Sequence, residues 1–376
     1  MARIIVSSVG TSLLTRHAEK AEREALIRCS NLRKGECPPD VTAIVQRLHE
    51  EALKQLDSSD IAEIRRASAE LNGLVGLNGG RLPTGAQQEM HFLIATDTAQ
   101  GQATAETVAA FLRDTCGCMV EVFVPQGLST QDEEHFSGGI KHLLKWCDMT
   151  LEGYHSAGYE IVFNLTGGFK SLQGYLNTIG MFYADRMVYI FESATAELIE
   201  IPRLPVAIDL ATLEQNATAF ALLDAGRQYR RSDFPDVPES LLDELDGDVL
   251  LSVWGELIWK KAKYQILGKE LLLFPRLNHA DSFRRDFADI RQVADKVRLQ
   301  ETLAKVSVLL ERSSGSTAPL KGDGGVQYED MKNMAHEGRP IGHFRITNGL
   351  RASCIAVNGA LTMRHYGSHD YVNNNP

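Results

Sequence analysis

The sequence of 376 residues lacks most of the features that assign a function at sight. Its six cysteines, Cys29, Cys37, Cys116, Cys118, Cys147 and Cys354, form no CxxC pair and have no histidine partner at zinc-site spacing. A disulfide framework and a structural zinc site are therefore not expected, and the thiols read as reduced residues of a cytoplasmic protein. There is no uncharged apolar run of about 18 residues, so no membrane span is expected. Met1-Ala2-Arg3 runs straight into IIVSSVG, which is too short for the apolar part of a secretory signal. No low-complexity tract occurs, and 44% apolar with 23% charged residues is an ordinary globular composition. The glycine turns do not have GxxxxGK[ST] or GxGxxG spacing, which argues against a P-loop and against a dinucleotide fold.

What is present is unevenly distributed. The net charge is −10, yet residues 270–376 carry 14 Lys+Arg against 12 Asp+Glu, and the remainder is strongly acidic. From residue 331 onward there are five Lys or Arg, two acids and four histidines. A locally basic, histidine-rich tail on an acidic chain suits a confined anionic partner such as RNA, not a chain-wide nucleic-acid surface.

Residues 159–174, YEIVFNLTGGFKSLQG, are the most informative stretch. An apolar run from Tyr159 to Asn164 reads as a buried strand. It breaks at Thr166-Gly167-Gly168 and enters an apolar-periodic helix from Phe169 to Tyr183, with Lys170 and Ser171 at its mouth. Glycines let a backbone approach a ligand, and helix N–H groups with a lysine attract an anion, so a phosphate site is one reading. A plain strand-to-helix turn with a surface lysine is the other.

Around it, the first 205 residues alternate strand and helix. Strands are expected at 2–9, 89–98, 119–128, 159–164, 186–193 and 197–208. Two or three helices are expected across 16–72, a loop at 74–85, and helices at 101–115 and 131–156. This order implies a parallel, doubly wound sheet, with Gly10-Thr11-Ser12, Asp97-Thr98 and Thr166-Gly167-Gly168 gathered at its carboxyl edge. The polar groups there are Ser7, Thr11, Ser12, Thr98, Asn164, Thr166, Lys170 and Ser171.

Residues 209–268 read as helical, interrupted by SDFPDVPE, and suit either a connector that helps the sheet domain dimerise or part of a C-terminal core. Beyond, one or two amphipathic helices (from Phe283), a flexible loop SSGSTAPLKGDGG and short strands with Asn348-Gly349 and Asn358-Gly359 turns imply a small α+β unit with an antiparallel meander. Metal-free RNA cleavage needs a base for the 2′-hydroxyl, a cation for the phosphorane and an acid for the leaving oxygen. Arg351 and Arg364 supply charge, and His365, His369 or Tyr371 can move protons. No carboxylate cluster suited to magnesium lies among them, so no metal and no resident cofactor are expected. A solvated basic face is the alternative.

SVGTSLL after the first strand and NLTGGFKS after a later one resemble the two signature segments of the CARF family, Rossmann-like sensors of type III CRISPR systems. The resemblance spans about residues 1–205, and the insertion 16–72 matches no family motif. It implies a homodimer that binds cyclic oligoadenylate, commonly cyclic tetra-adenylate, across the twofold axis. Carried over, the ligand contacts are Thr11, Ser12, Gly168 and Lys170, with Thr98 and Gln102 as neighbours; Gly10, Thr166, Gly167 and Ser171 belong to the same two turns and complete the candidate binding set.

The tail, GHFRITNGLRASCIAVNGALTMRHYGSHDYV, resembles the C-terminal half of the RelE/HigB family of ribosome-dependent mRNA interferases. That resemblance implies Arg345, Arg351, Arg364, His369 and Tyr371 as catalytic residues, to which the proton-transfer reading adds His365, and the ribosome and mRNA as partners. It departs from the toxin pattern where His369-Asp370-Tyr371 is followed at once by VNNNP. The whole chain resembles CARF–RelE fusions, CRISPR-associated mRNA interferases. The implied architecture is a Rossmann-like α/β CARF domain at 1–208, a helical connector at 209–268 and a small α+β RelE-like ribonuclease at 269–376.

Two rival effectors compete. Arg364 to His369 satisfies the RxxxxH spacing of HEPN ribonucleases, which act on free RNA. Context opposes this, because HEPN places the motif at the start of a helix in an all-helical domain, and Gly367-Ser368 disfavours a helix. A CARF transcriptional regulator would need a recognition helix dense in Lys or Arg ahead of the strands, and none is evident.

Overall fold

A computed structural model describes residues 2–58, 60–85, 89–191 and 197–375. The chain divides into two compact units, Met1–Val206 and Ala207–Pro376.

The first unit is built on a six-stranded sheet. In chain order its elements are β1 (Arg3–Ser8), α1 (Ser12–Thr15), α2 (Lys20–Arg28), α3 (Pro39–Ser58), α4 (Ile61–Ala67), α5 (Ala69–Leu77), β2 (Glu89–Ile94), α6 (Ala99–Asp114), β3 (Met119–Phe123), α7 (Glu133–Trp146), α8 (Glu152–Ser156), β4 (Glu160–Asn164), α9 (Lys170–Tyr183), β5 (Arg186–Ile190) and β6 (Leu198–Pro202). The strand order is β3-β2-β1-β4-β5-β6, parallel except for β6, which runs antiparallel to β5. This is a Rossmann-like arrangement. Ile4, Ile5, Ile161, Val162 and Phe163 are fully buried, as expected of central strands covered by helices on both faces. The order reverses between β1 and β4, and at such a switch point the carboxyl ends of the strands open a crevice.

Several expected boundaries move. The segment 16–72 holds α2, α3, α4 and the start of α5, more helices than expected. The loop expected from residue 74 starts later, because Leu74 and Val75 are fully buried and complete α5. Gly73, which reads locally as a breaker, sits mid-helix because any side chain there would collide with Asn164. The strands expected at 119–128 and 197–208 stop at Phe123 and Pro202. The strand expected at 186–193 stops at Ile190, and residues 192 and 193 lie outside the described residues.

The second unit contains α10 (Leu210–Gln215), α11 (Ala217–Asp224), β7 (Leu242–Leu245), β8 (Asp248–Leu251), α12 (Val253–Leu267), β9 (Leu277–His279), α13 (Asp281–Ala288), α14 (Val293–Arg312), α15 (Ala318–Gly322), β10 (Glu329–His336), β11 (Arg339–Arg345), β12 (Leu350–Val357), β13 (Ala360–Ser368) and α16 (His369–Asn374). Residues 209–268 do not stand apart as a connector. Phe220, Phe234 and Trp259 share one buried cluster with Phe283, Leu303 and Phe344 from the C-terminal part. The β7–β8 hairpin also interrupts the expected helical stretch.

The expected meander forms as β10-β11-β12-β13, and β9 adds in parallel to β13 at the far edge. Asn358 and Gly359 both have positive φ, 52° and 75°, as a tight two-residue hairpin requires. Asn348-Gly349 instead lies in a wider loop between β11 and β12. The loop expected after α14 contains α15, anchored by the fully buried Leu320.

Candidate functional site

In the first unit the glycine turn sits at the switch point, but its immediate surroundings are filled. The Gly10 N–H donates to Glu70 Oε1 at 2.7 Å, and Ser68 Oγ donates to Glu70 Oε2 at 2.7 Å. Glu70 is buried at the start of α5. Gly167 passes so close to it that any side chain there would collide with its carboxylate. Ser8 Oγ donates to the Gly167 carbonyl at 2.5 Å, and Gly168 has φ +97°, a conformation that glycine adopts at no steric cost. Asn164 Nδ2 donates to Ser7 Oγ and to the Glu70 carbonyl, while Thr166 Oγ1 donates to Asn164 Oδ1 at 2.8 Å.

The residues singled out in this unit therefore divide into two groups. Thr166 and Gly167 are buried in the turn's internal network. Thr98 is buried as the N-cap of α6, accepting from the Gly101 N–H at 3.1 Å, and Gln102 donates to Asp97 Oδ1 at 3.2 Å. Gly10 and Gly168 adjoin across the switch point, where a Cβ on Gly10 would lie 3.2 Å from the Gly168 nitrogen. Ser12, Lys170 and Ser171 are exposed, and Thr11 is half-buried. Thr11 and Ser12 also border a cavity of about 810 Å³ whose other walls come largely from α1, α2, α4 and α5. Sequence reasoning missed Glu70. A single acid in a charged helical insertion carries no local signal that it folds back under Gly10.

In the second unit the structure assembles a polar face on the meander. Phe344, Ala352 and Tyr366 are buried, and the alternate residues lie on the other face of the sheet, half-buried on β11 and β13 at His343, Arg345 and His365 but fully buried at Ser353 of β12. Register aligns Glu329, His343, Ser353 and His365 across four strands, and Arg345 with Arg351 and Gly367 beside them. A bulge opposite Ser353 and Cys354 makes Arg364 the extra residue of β13. Bulges re-aim side chains, and here Arg364 and His365 are both half-buried between the core residues Met363 and Tyr366.

His365 is the centre of the array. Its Nδ1 lies 3.1 Å from Asp286 Oδ2 on α13, and Tyr371 from α16 donates to Asp286 Oδ1 at 3.1 Å. The Tyr371 hydroxyl lies 3.4 Å from the same His365 nitrogen. Burial, then the Asp286 hydrogen bond, pushes the Tyr371 phenol above its ordinary value, so it stays a proton donor. A carboxylate on Nδ1 makes that nitrogen the protonated one and leaves Nε2 as the acceptor. The position is sterically specified: Tyr371 packs where residue 367 has no side chain, and a Cβ there would lie 2.6 Å from Tyr371 Cδ1.

The cations flank this array. Arg351 Nη1 donates to the Thr347 carbonyl at 2.7 Å and to the Leu350 carbonyl at 3.1 Å, which fixes the guanidinium. Arg345 Nη2 donates to the Gly324 carbonyl at 3.1 Å. Desolvation, and after it the like charge of Arg345, lowers the Arg351 pKa against the opposing pull of Glu329. Like charges facing each other across strands cost stability unless an anion joins them. His369, exposed at the start of α16, has Asn373 Nδ2 at 3.3 Å from its ring. Burial lowers the pKa of His343, with Arg351 and His369 adding to the effect against an opposing Glu329.

Thus the six expected residues fall on β11, β12, β13 and the first turn of α16. The structure adds Asp286 and His343. Asp286 was hidden as one of two acids of α13, and His343 among the alternating residues of GHFR. The RxxxxH spacing lies on a strand and at the head of a short terminal helix, in an antiparallel sheet. That corrects the HEPN alternative, whose motif belongs on a helix of a helical domain.

Among the described residues no helix is long and apolar enough to cross a membrane. Residues 65–204 match the model of a family described as CRISPR-associated protein (Cas_APE2256). The match includes the glycine turn and most of the sheet, from α4 to β6 without β1 or Gly10-Thr11-Ser12. It supports a CRISPR-associated protein. A comparison with curated proteins gave no match.

Proposed function

We propose that this CRISPR-associated chain is a homodimeric, cyclic-oligoadenylate-activated endoribonuclease that cuts mRNA on the ribosome and so lowers translation during antiviral defence. The observation that carries the reading is the Asp286–His365–Tyr371 array set beside Arg345 and Arg351. In this reading His365 Nε2 takes the proton of the attacking 2′-hydroxyl. Tyr371 or His369 returns a proton to the departing 5′-oxygen, and the arginines stabilise the phosphorane. The ribosome holds the mRNA in line, which explains why the site needs no deep groove of its own.

The first unit is the input. Cyclic tetra-adenylate would rest on the exposed rim of the switch point, at Thr11, Ser12, Gly168, Lys170 and Ser171, across a twofold axis. It activates only by binding the active conformation more tightly than the resting one. Cell-free translation with and without cyclic tetra-adenylate tests the whole reading. Ligand-dependent inhibition supports it, and inhibition that ignores the ligand opposes it.

A further inference from the structure

The segment 16–72, of which only residues 65–72 fall within the family match, closes around the cavity of about 810 Å³ in the first unit. Four arginines line it: Arg16, Arg23, Arg65 and Arg66. Arg16 donates to the Arg66 carbonyl, Arg23 donates to the carbonyls of Ala18 and Arg16, and Arg65 donates to Asn72 Oδ1 at 2.7 Å. Among the described residues Arg16, Arg23 and Arg66 have no carboxylate partner, although the chain as a whole carries a net charge of −10. Unneutralised guanidiniums gathered on one concavity repel one another, and a phosphate removes that cost through charge-assisted bidentate hydrogen bonds.

The cavity also has recognition groups of a different kind. Asn72 and Gln100 line it although they are only 2% and 4% exposed. Asn72 Oδ1 accepts from Arg65, and Gln100 Nε2 donates to the Leu26 carbonyl at 2.7 Å. Their other amide atoms, Asn72 Nδ2 and Gln100 Oε1, have no partner among the described residues. One donor and one acceptor, beside the apolar walls of Leu26, Ile27 and Ala67, match the edge and face of a nucleobase.

We propose that this cavity binds a nucleoside polyphosphate, with its phosphates on Arg16, Arg23, Arg65 and Arg66 and its base against Asn72 and Gln100. The cavity shares Thr11 and Ser12 with the rim of the switch point, but its arginines and amides lie outside the glycine turn, where Glu70 already occupies the Gly10 N–H. It needs neither a dimer nor the sensor reading.

Calorimetric titration of the full chain with ATP and with inorganic pyrophosphate tests the proposal. ATP binds more tightly than pyrophosphate, and the exposed pair Arg16→Ala with Arg66→Ala weakens ATP binding at least tenfold while thermal melting of the unit is unchanged. Lys170→Ala leaves ATP binding as it was, even where cyclic tetra-adenylate fails to activate translation. Absence of ATP binding by the wild type, or equal binding by the double arginine variant, overturns the proposal. Loss of ATP binding in Lys170→Ala alone overturns it as well, by moving the site to the glycine turn.

Discussion

Asp286 holds His365 from behind, with its Oδ2 atom 3.1 Å from Nδ1 and its Oδ1 atom accepting the Tyr371 hydroxyl. One carboxylate on a helix thus sets the tautomer of a strand histidine and the position of a tyrosine from the last helix. Asp286→Asn keeps the shape and removes the charge. It should lower ribosome-dependent mRNA cleavage by about 10- to 100-fold, and His365→Ala by about 100-fold or more, as general-base removal does. Single-turnover cleavage with saturating ribosomes measures both. Cleavage by His365→Ala at the wild-type rate would remove the histidine from the mechanism.

Gly367 is the space into which Tyr371 packs. Gly367→Ala should displace the ring and reproduce the activity loss of Tyr371→Ala, with little further loss when the two are combined. The double-mutant cycle reads this directly. Additive losses would mean that the two positions act independently.

The glycine turn makes a steric forecast. Gly167→Ala drives a methyl group into the buried Glu70 carboxylate, which is itself tied to Gly10 and Ser68. Overpacking of this kind costs about 1–3 kcal/mol. Gly138, where an added Cβ meets nothing within 4 Å, is the control and should tolerate alanine. Urea denaturation of the two variants compares them.

His279 gives a pH signature. It is 9% exposed on β9, stacked on Phe283 at 5.4 Å, and neither ring nitrogen has a partner, so burial pushes its pKa down to about 4. The folded value lies below that of an unfolded histidine. Its stabilising contribution is therefore complete above about pH 6.5 and is lost as pH falls toward the folded value, by roughly 3 kcal/mol in all. His279→Leu should remove that share of the acid sensitivity between pH 6.5 and 4. Parallel pH–stability curves for wild type and variant would show that the ring is not held neutral.

Much of this was legible because it is local. The apolar runs at 2–9 and 159–164 gave buried central strands, and the alternation of strand and helix gave the parallel sheet. Asn358-Gly359 marked its hairpin because only a few residues tolerate its backbone angles. What escaped is long-range. Glu70 lies 60 residues from Gly10 and Asp286 lies 79 from His365, and neither has a sequence neighbour that marks its role. The residues of α12 suited a connector as well as a C-terminal core, because the burial partners that decide for the core, such as Leu303 and Phe344, come from later in the chain. The loop expected at 74–85 starts later because α5 continues through Gly73 and Gly76, which packing against Asn164 and Leu198 requires to be small.

The central claim is that a cyclic nucleotide on the first unit licenses RNA cleavage by the second. The most direct measurement follows one mRNA on programmed ribosomes with wild type and Arg364→Ala, each with and without cyclic tetra-adenylate. Cleavage is expected only with wild type plus ligand, with at least a 100-fold loss in the variant. Cleavage that is equal without ligand, or that survives Arg364→Ala, would contradict it.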